Sequence, residues 1–396
     1  MKILIIHNFH RSGAPSGDDA VVRQEMVLLQ RNGHDVTLFS KHNDSFERFS
    51  LSKKVETFTN LHFSPEIYNE LKAILSKKKF DIVHIHNLFP LITPAAYFAC
   101  KDTKVPLVHT LHDFRFFCAN AFLFRNGNIC ELCPTESTIN AAKYKCFKNS
   151  FIGSVFVARY LSKIKKERYF LIPQKYIALT EFSKQKFIEF GIPTEKIVVK
   201  PNFVENSLPN PKEKKADYFV YAGRLSEEKG IKILIKAFAD DRLRQIPLKI
   251  IGSGPLEWEL KQIVEKYNLK NIEILGLLSR LEVLKQMESS IATIFPSILY
   301  ETFGLTIVES FSVGTPVIAS NFGTMSVLIK PFKTGLLFEK GNPEDLAEKI
   351  LYLYNNRELA CEMGKNAREE YLQKYTPEVN YNMLMQIYEE TIRESK

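Results

Sequence analysis

The stretch Ser297-Ile-Leu-Tyr-Glu301-Thr-Phe-Gly304-Leu-Thr-Ile-Val-Glu309-Ser310 follows the apolar run Ile291–Phe295. The run predicts a buried strand, and the residues after Gly304 predict a helix. The first turn of a helix has unpaired N–H groups and the positive end of the helix dipole, which suits an anionic or hydroxyl-rich ligand. We therefore expect Glu301, in the loop, and Glu309, on the helix, to face one ligand. A solvated helical glutamate is the alternative, but the apolar neighbours of Glu309 would make an unpaired carboxylate costly.

Length and composition describe an ordinary globular protein of more than one domain. The chain has 396 residues, 45% of them apolar and 25% charged, with a formal net charge of +9. Such a charge is compatible with nucleic acid, an anionic membrane surface or anionic small ligands. The start, Met1–Ile6, is too short for a signal sequence, and no apolar run is long enough to span a bilayer. We therefore expect a cytoplasmic protein whose six cysteines are thiols or metal ligands.

Strands and helices alternate along both halves of the chain, which predicts an α/β protein with two doubly wound, Rossmann-like domains. The first domain is predicted over 1–203 and the second over 204–376, with a polar, proline-marked linker at 204–216. Ser64-Pro65 and Thr93-Pro94 each predict a helix that begins with a cap and a proline. Ligands of such folds bind at the carboxyl ends of strands, so we expect the site in a cleft between the domains.

Two glycine-bearing loops of the second domain follow predicted strands. Gly223-Arg224-Leu-Ser-Glu-Glu-Lys229-Gly230 places two cations before a helix, which is typical of a diphosphate clamp. Gly252-Ser-Gly254-Pro255 lets a ligand approach the backbone closely. A solvated charged loop and an ordinary helix-starting turn are the respective alternatives. We expect both loops and the two glutamates to lie at one sheet edge.

The first domain has its own candidates. Gly13-Ala-Pro-Ser-Gly17 joins the first strand to the first helix, where glycine permits close approach to a phosphate. His112 ends a predicted strand beside Asp113, so we expect it to face the cleft. His84, His86 and His109 are more often structural at such positions, and we expect that of them here.

Four cysteines cluster around a predicted hairpin at Asn126-Gly127. They are Cys118, Cys130, Cys133 and Cys146. Four thiolates can hold a structural zinc ion, while free thiols in an insertion at about 114–150 are the alternative.

The segment Phe151–Arg168 is predicted to be an amphipathic helix with a basic face. Such a helix suits the surface of an anionic membrane. A helix that packs on its own domain with a solvated basic face is the alternative. The membrane prediction places the protein on the inner face of the cytoplasmic membrane.

The ordered motifs of the second domain, with Pro316–Ala319 and Thr334–Phe338 after them, resemble glycosyltransferase family 4. The cysteine-bearing hairpin is similar to that of members that build bacterial surface polysaccharides such as capsule, O-antigen or exopolysaccharide. The resemblance implies a GT-B fold, whose last helix, here 377–396, returns to the first domain. It also implies a retaining, metal-independent transfer of a hexosyl group from a UDP- or GDP-sugar to a glycan or lipid-linked acceptor, with no cofactor.

The resemblance also implies a role for each candidate residue. Arg224 and Lys229 would neutralise the leaving diphosphate, and Glu309 would hold the ribose. His112 would contact the sugar near the reacting centre, and Gly17 would approach the phosphates. Gly254 would lie against the donor. The donor sugar would be held by Glu301 and by the four residues that follow it, Thr302, Phe303, Gly304 and Leu305.

Three other functions are compatible with parts of this pattern. A GT-B-fold nucleotide-sugar epimerase would need its own acid and base carboxylates, and no clear set exists beyond Glu301 and Glu309. A non-catalytic nucleotide-sugar-binding scaffold would be expected to lose Arg224, Lys229 or Glu301, and all three are present. A nucleic-acid binder would show a basic stripe interleaved with aromatic residues, which is absent from the sequence; we therefore expect no nucleic-acid partner.

Overall fold

The computed structural model describes residues 1–12, 16–205, 207–208 and 215–395. The chain forms two compact units. Unit 1 comprises Met1–Arg125, Cys130–Asn202 and Asn380–Lys396, and unit 2 comprises Asn126–Ile129 and Phe203–Val379. Among the described residues, none of the helices combines the length and the apolar character that a membrane span requires.

Unit 1 is built on a six-stranded parallel sheet in the order β2-β1-β3-β4-β7-β8. Its strands are β1 (Lys2–Phe9), β2 (Asp35–His42), β3 (Ile82–Asn87), β4 (Leu107–Thr110), β7 (Lys175–Ala178) and β8 (Ile197–Val199). A two-stranded hairpin is formed by β5 (Phe124–Arg125) and β6 (Asn128–Ile129). This confirms the hairpin predicted at Asn126-Gly127.

The helices of the first half of the chain connect these strands. They are α1 (Gly17–Arg31), α2 (Asn43–Arg48), α3 (Leu51–Thr59), α4 (Pro65–Lys77), α5 (Ala95–Thr103), α6 (Leu132–Thr135), α7 (Ile139–Lys143), α8 (Phe151–Lys166) and α9 (Glu181–Glu189). The core is made by apolar strand residues such as Ile3 and Ile5. Leu384 and Tyr388 of the last helix, α17 (Pro377–Glu394), belong to the same cluster.

Unit 2 has a second six-stranded parallel sheet, in the order β11-β10-β9-β12-β13-β14. Its strands are β9 (Phe219–Ala222), β10 (Leu248–Ile251), β11 (Ile272–Gly276), β12 (Thr293–Phe295), β13 (Val317–Ser320) and β14 (Gly335–Phe338). Its helices are α10 (Ile231–Phe238), α11 (Glu257–Lys266), α12 (Arg280–Ser289), α13 (Leu305–Ser312), α14 (Thr324–Leu328), α15 (Pro343–Asn355) and α16 (Arg357–Lys374). This is the strand order of a Rossmann fold, whereas the sheet of unit 1 follows the flavodoxin-like order.

The predicted helix starts differ in their outcome. Ser64 caps α4 as predicted, because its hydroxyl accepts a hydrogen bond from the backbone N–H of Ile67 at 3.4 Å. The cap predicted at Thr93 is displaced by one residue, since the N-cap of α5 is Pro94, but the hydroxyl of Thr93 still accepts from the N–H of Ala95, the first residue of α5, at 3.3 Å. The same hydroxyl also accepts from the N–H of Ser64 at 3.1 Å, which is a contact between two elements.

Candidate functional site

The sheet of unit 2 changes the direction of its connections between β9 and β12, which are neighbours in the sheet. Ligands of open α/β sheets bind outside the carboxyl ends of the two strands at such a switch point. The loop after β9 carries Arg224 and Lys229, and the loop after β12 carries Glu301. The fold therefore places three predicted site residues at the position where this class of sheet binds ligands.

Lys229 and Glu301 form an ion pair at this edge. Lys229 Nζ donates to Glu301 Oε1 at 2.6 Å, and the hydroxyl of Ser297 donates to the same oxygen at 2.8 Å. Both charged side chains are partly buried. The hydroxyl of Thr324 also donates to the backbone oxygen of Glu301 at 2.5 Å. The carboxylate is thus held by two side chains, Lys229 and Ser297, while Thr324 holds the backbone of the same residue. Neither Ser297 nor Thr324 was predicted.

The loops after β9 and β12 are joined at their backbones. The N–H of Ile298 donates to the carbonyl of Glu228 at 3.0 Å. Gly230 has φ +71°, and a Cβ at this position would lie 1.8 Å from the carbonyl oxygen of Pro296. Only glycine allows this approach without displacing backbone, so Gly230 is what brings Lys229 beside Glu301. Arg224, in the same loop, has an exposed side chain.

The glycines after β10 are required by their neighbouring loop. A Cβ on Gly252 would lie 2.0 Å from the oxygen of Gly223, and one on Gly254 would lie 2.4 Å from the oxygen of Leu225. The N–H of Leu225 also donates to the oxygen of Ser253 at 2.9 Å. The structure therefore gives Gly254 a packing reason for being glycine, and its contact with a donor stays a prediction.

The predicted helix after Gly304 is confirmed as α13. Gly304 is its N-cap and has φ +88°, a left-handed conformation that favours glycine. Phe303 is buried and Thr302 and Leu305 are partly buried. The segment that Glu301 begins is consequently folded against unit 2 and continues directly into the first turn of a helix.

Glu309 lies on α13, with an environment that the sequence indicated only in part. Its carboxylate is partly buried and lies 3.4 Å from Arg280 Nε. Burial raises the pKa of Glu309 above its usual value, and the charge of Arg280 opposes that effect. Arg280 was not predicted. The capping box of Ser279 and Glu282 could have indicated its place, because it fixes Arg280 as the first residue of α12.

His112 was predicted to end a strand of unit 1. The observed strand, β4, ends at Thr110, so His112 lies two residues beyond it. Its Nε2 is 3.0 Å from Nδ1 of His86, and the two rings are stacked. Burial lowers the pKa of His112 well below its usual value. A cavity of about 20 Å³, large enough for one water molecule, is lined by His112 together with Asp113 and Arg115.

Gly17 is the first residue of α1, directly after the N-cap Ser16. A Cβ at Gly17 would meet no atom within 4 Å. Packing within the described residues therefore gives no reason for glycine at this position, whereas close approach of a ligand would. The rest of the predicted loop, 13–15, lies outside the described residues.

A buried polar network lies beneath His112, and sequence reasoning missed most of it. Glu25 Oε1 is 3.1 Å from His84 Nδ1 and 3.2 Å from His86 Nε2, and Glu25 Oε2 is 3.2 Å from Lys200 Nζ. All four side chains are almost fully buried. The signal for Glu25 was its position in the apolar stripe of α1, between Val22 and Leu29. Nothing local indicated Lys200.

Three groups of side chains bear on metal binding. Among the described residues, two sets have ligand atoms within 4.8 Å of one another: Glu25, His84 and His86, and also His7, Asp18 and Asp19. Lys200 already neutralises the first set, and His7 Nε2 and His10 Nδ1 contact Asp19 in the second at 2.8 and 3.2 Å. No three sulfurs of the described cysteines meet the same distance limit.

Comparison with known proteins first gives the class of fold. HepE of Anabaena, solved in complex with UDP, superimposes with a TM-score of 0.69 over 98% of this chain and 99% of that one, at 19% identity. A glycosyltransferase from Rickettsia africae gives a TM-score of 0.69 over 99% of both chains, at 21% identity. The two parallel-sheet units therefore form a GT-B glycosyltransferase fold.

Sequence comparison then gives the family. The model of Glycosyltransferase Family 4 matches residues 17–208, and that of Glycosyl transferases group 1 matches residues 204–370. An uncharacterized glycosyltransferase of Methanocaldococcus jannaschii is 31% identical over 290 residues, which are 73% of this chain and 77% of that protein. O-antigen chain mannosyltransferase C of Escherichia coli is 29% identical over 182 residues, 46% of this chain and 48% of that protein. The chain belongs to glycosyltransferase family 4 and has relatives in O-antigen synthesis.

Proposed function

We propose that this protein transfers a hexosyl group, with retention of configuration and without a metal ion, from a UDP- or GDP-sugar to a hydroxyl of a glycan or lipid-linked acceptor. The observation that carries the proposal is the pair of Lys229 and Glu301 at the switch point of unit 2. HepE, a structural neighbour, has been solved with UDP and with UDP-glucose. The O-antigen relatives favour a role in surface polysaccharide synthesis.

The proposed chemistry uses cations where negative charge develops. As the bond from the anomeric carbon to the diphosphate oxygen breaks, charge grows on the leaving phosphate, and Lys229 and Arg224 would stabilise it. A new bond forms from the acceptor oxygen to the same face of the sugar. The acceptor proton passes to the leaving phosphate oxygen, so the step needs no base from the protein and no metal ion.

The remaining site residues would bind the rest of the donor. Burial raises the pKa of Glu309. Its carboxylate would accept hydrogen bonds from the ribose hydroxyls, and these bonds would offset the cost of burying it. Glu301 and the backbone of Thr302–Leu305 would hold the donor sugar. Gly17 would approach the phosphates, and His112 would contact a sugar hydroxyl.

The experiment is a thermal-shift and hydrolysis screen of UDP- and GDP-sugars in the presence of EDTA. We expect one donor to raise the melting temperature and to be hydrolysed slowly without metal, and Glu301→Ala to reduce hydrolysis sharply. Glu257→Ala is the matched control, because Glu257 also pairs with a lysine of unit 2, at 2.8 Å, but on the exposed face of α11. Donor binding without hydrolysis would favour a scaffold, and the absence of any binding would refute the proposal.

The helix α8 supports a peripheral position on the cytoplasmic membrane as part of this proposal. Phe151 and Ile152 at its start are 57% and 69% exposed, and the nearby α7 carries Ile139, which is 72% exposed. Arg159, Lys165 and Lys166 are exposed on the same helix. Apolar side chains beside cations suit an anionic lipid surface, where a lipid-linked acceptor would be found.

A further inference from the structure

Three cations of unit 1 lie close together around the ring of Phe147. Arg115 Cζ is 5.9 Å and Lys148 Nζ is 5.6 Å from the centre of this ring. Burial, and then the charge of Arg11, lowers the pKa of Lys148, and the charge of Arg115 acts in the same direction while Glu47 opposes it. Because like charges repel one another, the fold holds these three cations together at a cost in free energy.

The positive charge of this basic cluster, Arg11, Arg115 and Lys148, is only partly neutralised. Within the part of the chain that the structure describes, one of the three forms an ion pair, Arg11 with Glu47 at 2.7 Å. The partly buried carboxylate of Asp113 also acts on the charge of Arg115. Three cations against two carboxylates leave an excess of positive charge. Such an excess in one place favours the binding of an anion.

Arg115 connects the basic cluster to the cavity in which His112 lies, because both residues line it. The guanidinium of Arg115 donates to the backbone oxygen of Ala119, and its Cζ lies 4.5 Å from the centre of the Phe89 ring. These contacts fix a planar group whose remaining N–H donors match the oxygens of a phosphate. An anion bound there lies beside the place where His112 is proposed to contact the transferred sugar.

An apolar stripe leads from the basic cluster to the protein surface. Phe147 packs against Phe58 of α3, with ring centres 6.0 Å apart, and Phe58 stacks on Phe156 of α8. Leu51 and Val55 precede Phe58 at helical spacing on α3 and are 80% and 49% exposed. Cations at one end of an exposed apolar stripe are complementary to a ligand that joins an anion to a lipid chain.

We infer that the basic cluster binds the phosphate or diphosphate of a lipid-linked acceptor, whose lipid chain lies along the apolar stripe of α3. This inference rests on the proposed function and deepens it, because it names the chemistry of the acceptor. In such an acceptor the phosphate joins the lipid to the first sugar. Since the basic cluster adjoins the cavity of His112, only a short glycan fits between the phosphate and the hydroxyl that receives the new sugar.

The test is isothermal titration calorimetry of the full-length protein with farnesyl diphosphate, a soluble probe that joins a diphosphate to an isoprenoid chain. The Lys229→Met background weakens the predicted diphosphate site of unit 2. In that background, Lys148→Gln should raise the Kd about 10-fold through the loss of a charge-assisted contact, and Lys148→Arg should restore binding. Lys143→Gln is the matched control, because Lys143 is also exposed and lies 5.1 Å from a ring, that of Tyr144, but outside the basic cluster. It should leave the Kd unchanged.

Three results would overturn the inference. The first is an equal Kd in Lys148→Gln and Lys143→Gln. The second is binding of farnesol, which has no phosphate, or of inorganic pyrophosphate, which has no lipid chain, as tightly as farnesyl diphosphate. The third is a Lys148→Gln variant that loses co-sedimentation with phosphatidylglycerol vesicles but keeps its Kd for farnesyl diphosphate, since the basic cluster would then serve only membrane headgroups. None of these measurements needs a sugar donor, so this inference and the proposed transferase activity can fail separately.

Discussion

The pair of Lys229 and Glu301 joins two loops whose residues are 72 positions apart. In this pair a cation is held where a diphosphate would bind, while its carboxylate partner is fixed by Ser297. In the proposed reaction the lysine would exchange the carboxylate for a phosphate of the donor, and Glu301 would then be released to accept from sugar hydroxyls. The two roles predicted separately for these residues would thus be coupled by the one ion pair that the structure shows.

Replacing Lys229 should weaken diphosphate binding. Lys229→Met keeps much of the side-chain length and removes the charge, so we expect the Kd for the donor's nucleoside diphosphate to rise about 10- to 100-fold, the value of a charge-assisted hydrogen bond. Isothermal titration calorimetry measures it. Lys261→Met, which removes the lysine of the exposed pair with Glu257, is the control. An unchanged Kd in Lys229→Met would refute the diphosphate role.

The close approach at Gly230 should be visible in stability. Gly230 and Gly276 both have φ +71°, but a Cβ would meet the Pro296 oxygen at 1.8 Å in the first and no atom within 4 Å in the second. We expect Gly276→Ala to lower the free energy of unfolding by about 1 kcal/mol through strain alone. Gly230→Ala should cost several kcal/mol in urea unfolding, because backbone must also move. Equal losses would show that the clash is relieved cheaply.

Among the helices and strands, the sequence predicted correctly those features that depend only on neighbouring residues. The cap at Ser64, the hairpin at Asn126-Gly127 and the helix after Gly304 were predicted because each depends on residues close in sequence. The helices α2 and α3 were not predicted, and the stripe of α8 was predicted as one surface although it is divided. Tyr160 and Ile164 are buried in unit 1, while Phe151 and Ile152 are exposed, so α8 packs on its own unit and also presents an apolar surface.

The exposed start of α8 should mediate membrane binding. We expect the wild type to co-sediment with anionic liposomes at low salt, and the double variant Phe151→Ser and Ile152→Ser to lose most of this binding, because it loses the apolar contact. Leu372→Ser, which changes a residue of α16 that is 47% exposed, should bind as the wild type does. Failure of the wild type to co-sediment would refute the proposed membrane position.

Zinc at the four cysteines stays a prediction that elemental analysis can test. Burial, and then the neighbouring thiols of Cys118, Cys146 and Cys130, raises the pKa of Cys133 to about 12, so the thiols influence one another. Zinc would require the sulfurs to approach within about 4 Å. We expect one zinc ion per chain in protein purified without chelator, and its loss in Cys130→Ser. Protein without zinc would leave four free thiols.

Across the whole molecule, the histidines are divided unequally between the two units. All nine histidines lie between His7 and His112, in unit 1. Burial lowers the pKa of His86 and of His109 to about 3, whereas in the unfolded chain they titrate near the usual value of about 6.5. Between these values the unfolded state binds more protons. The contribution of these two neutral histidines to the stability of the folded state is therefore complete above about pH 6.5 and is lost as the pH falls.

Acid should consequently destabilise unit 1 before unit 2. Each additional proton bound by the unfolded state costs about 1.4 kcal/mol per pH unit. We expect amide hydrogen exchange, corrected for its intrinsic pH dependence, to show that β3 loses protection between about pH 6.5 and 5 while β10 retains it. Equal losses in the two strands would contradict this assignment.

The alternation of strands and helices, the position of both glycine-bearing loops and the family could all be predicted from the sequence, because they depend on local patterns and on spacing along the chain. Three contacts became known only from the folded chain: Lys229 pairs with Glu301, Arg280 lies beside Glu309, and Glu25 contacts Lys200 across 175 positions. These contacts exist because a buried charge is tolerated only beside a partner. That partner is fixed by how the sheets and helices pack, which no neighbouring residue encodes.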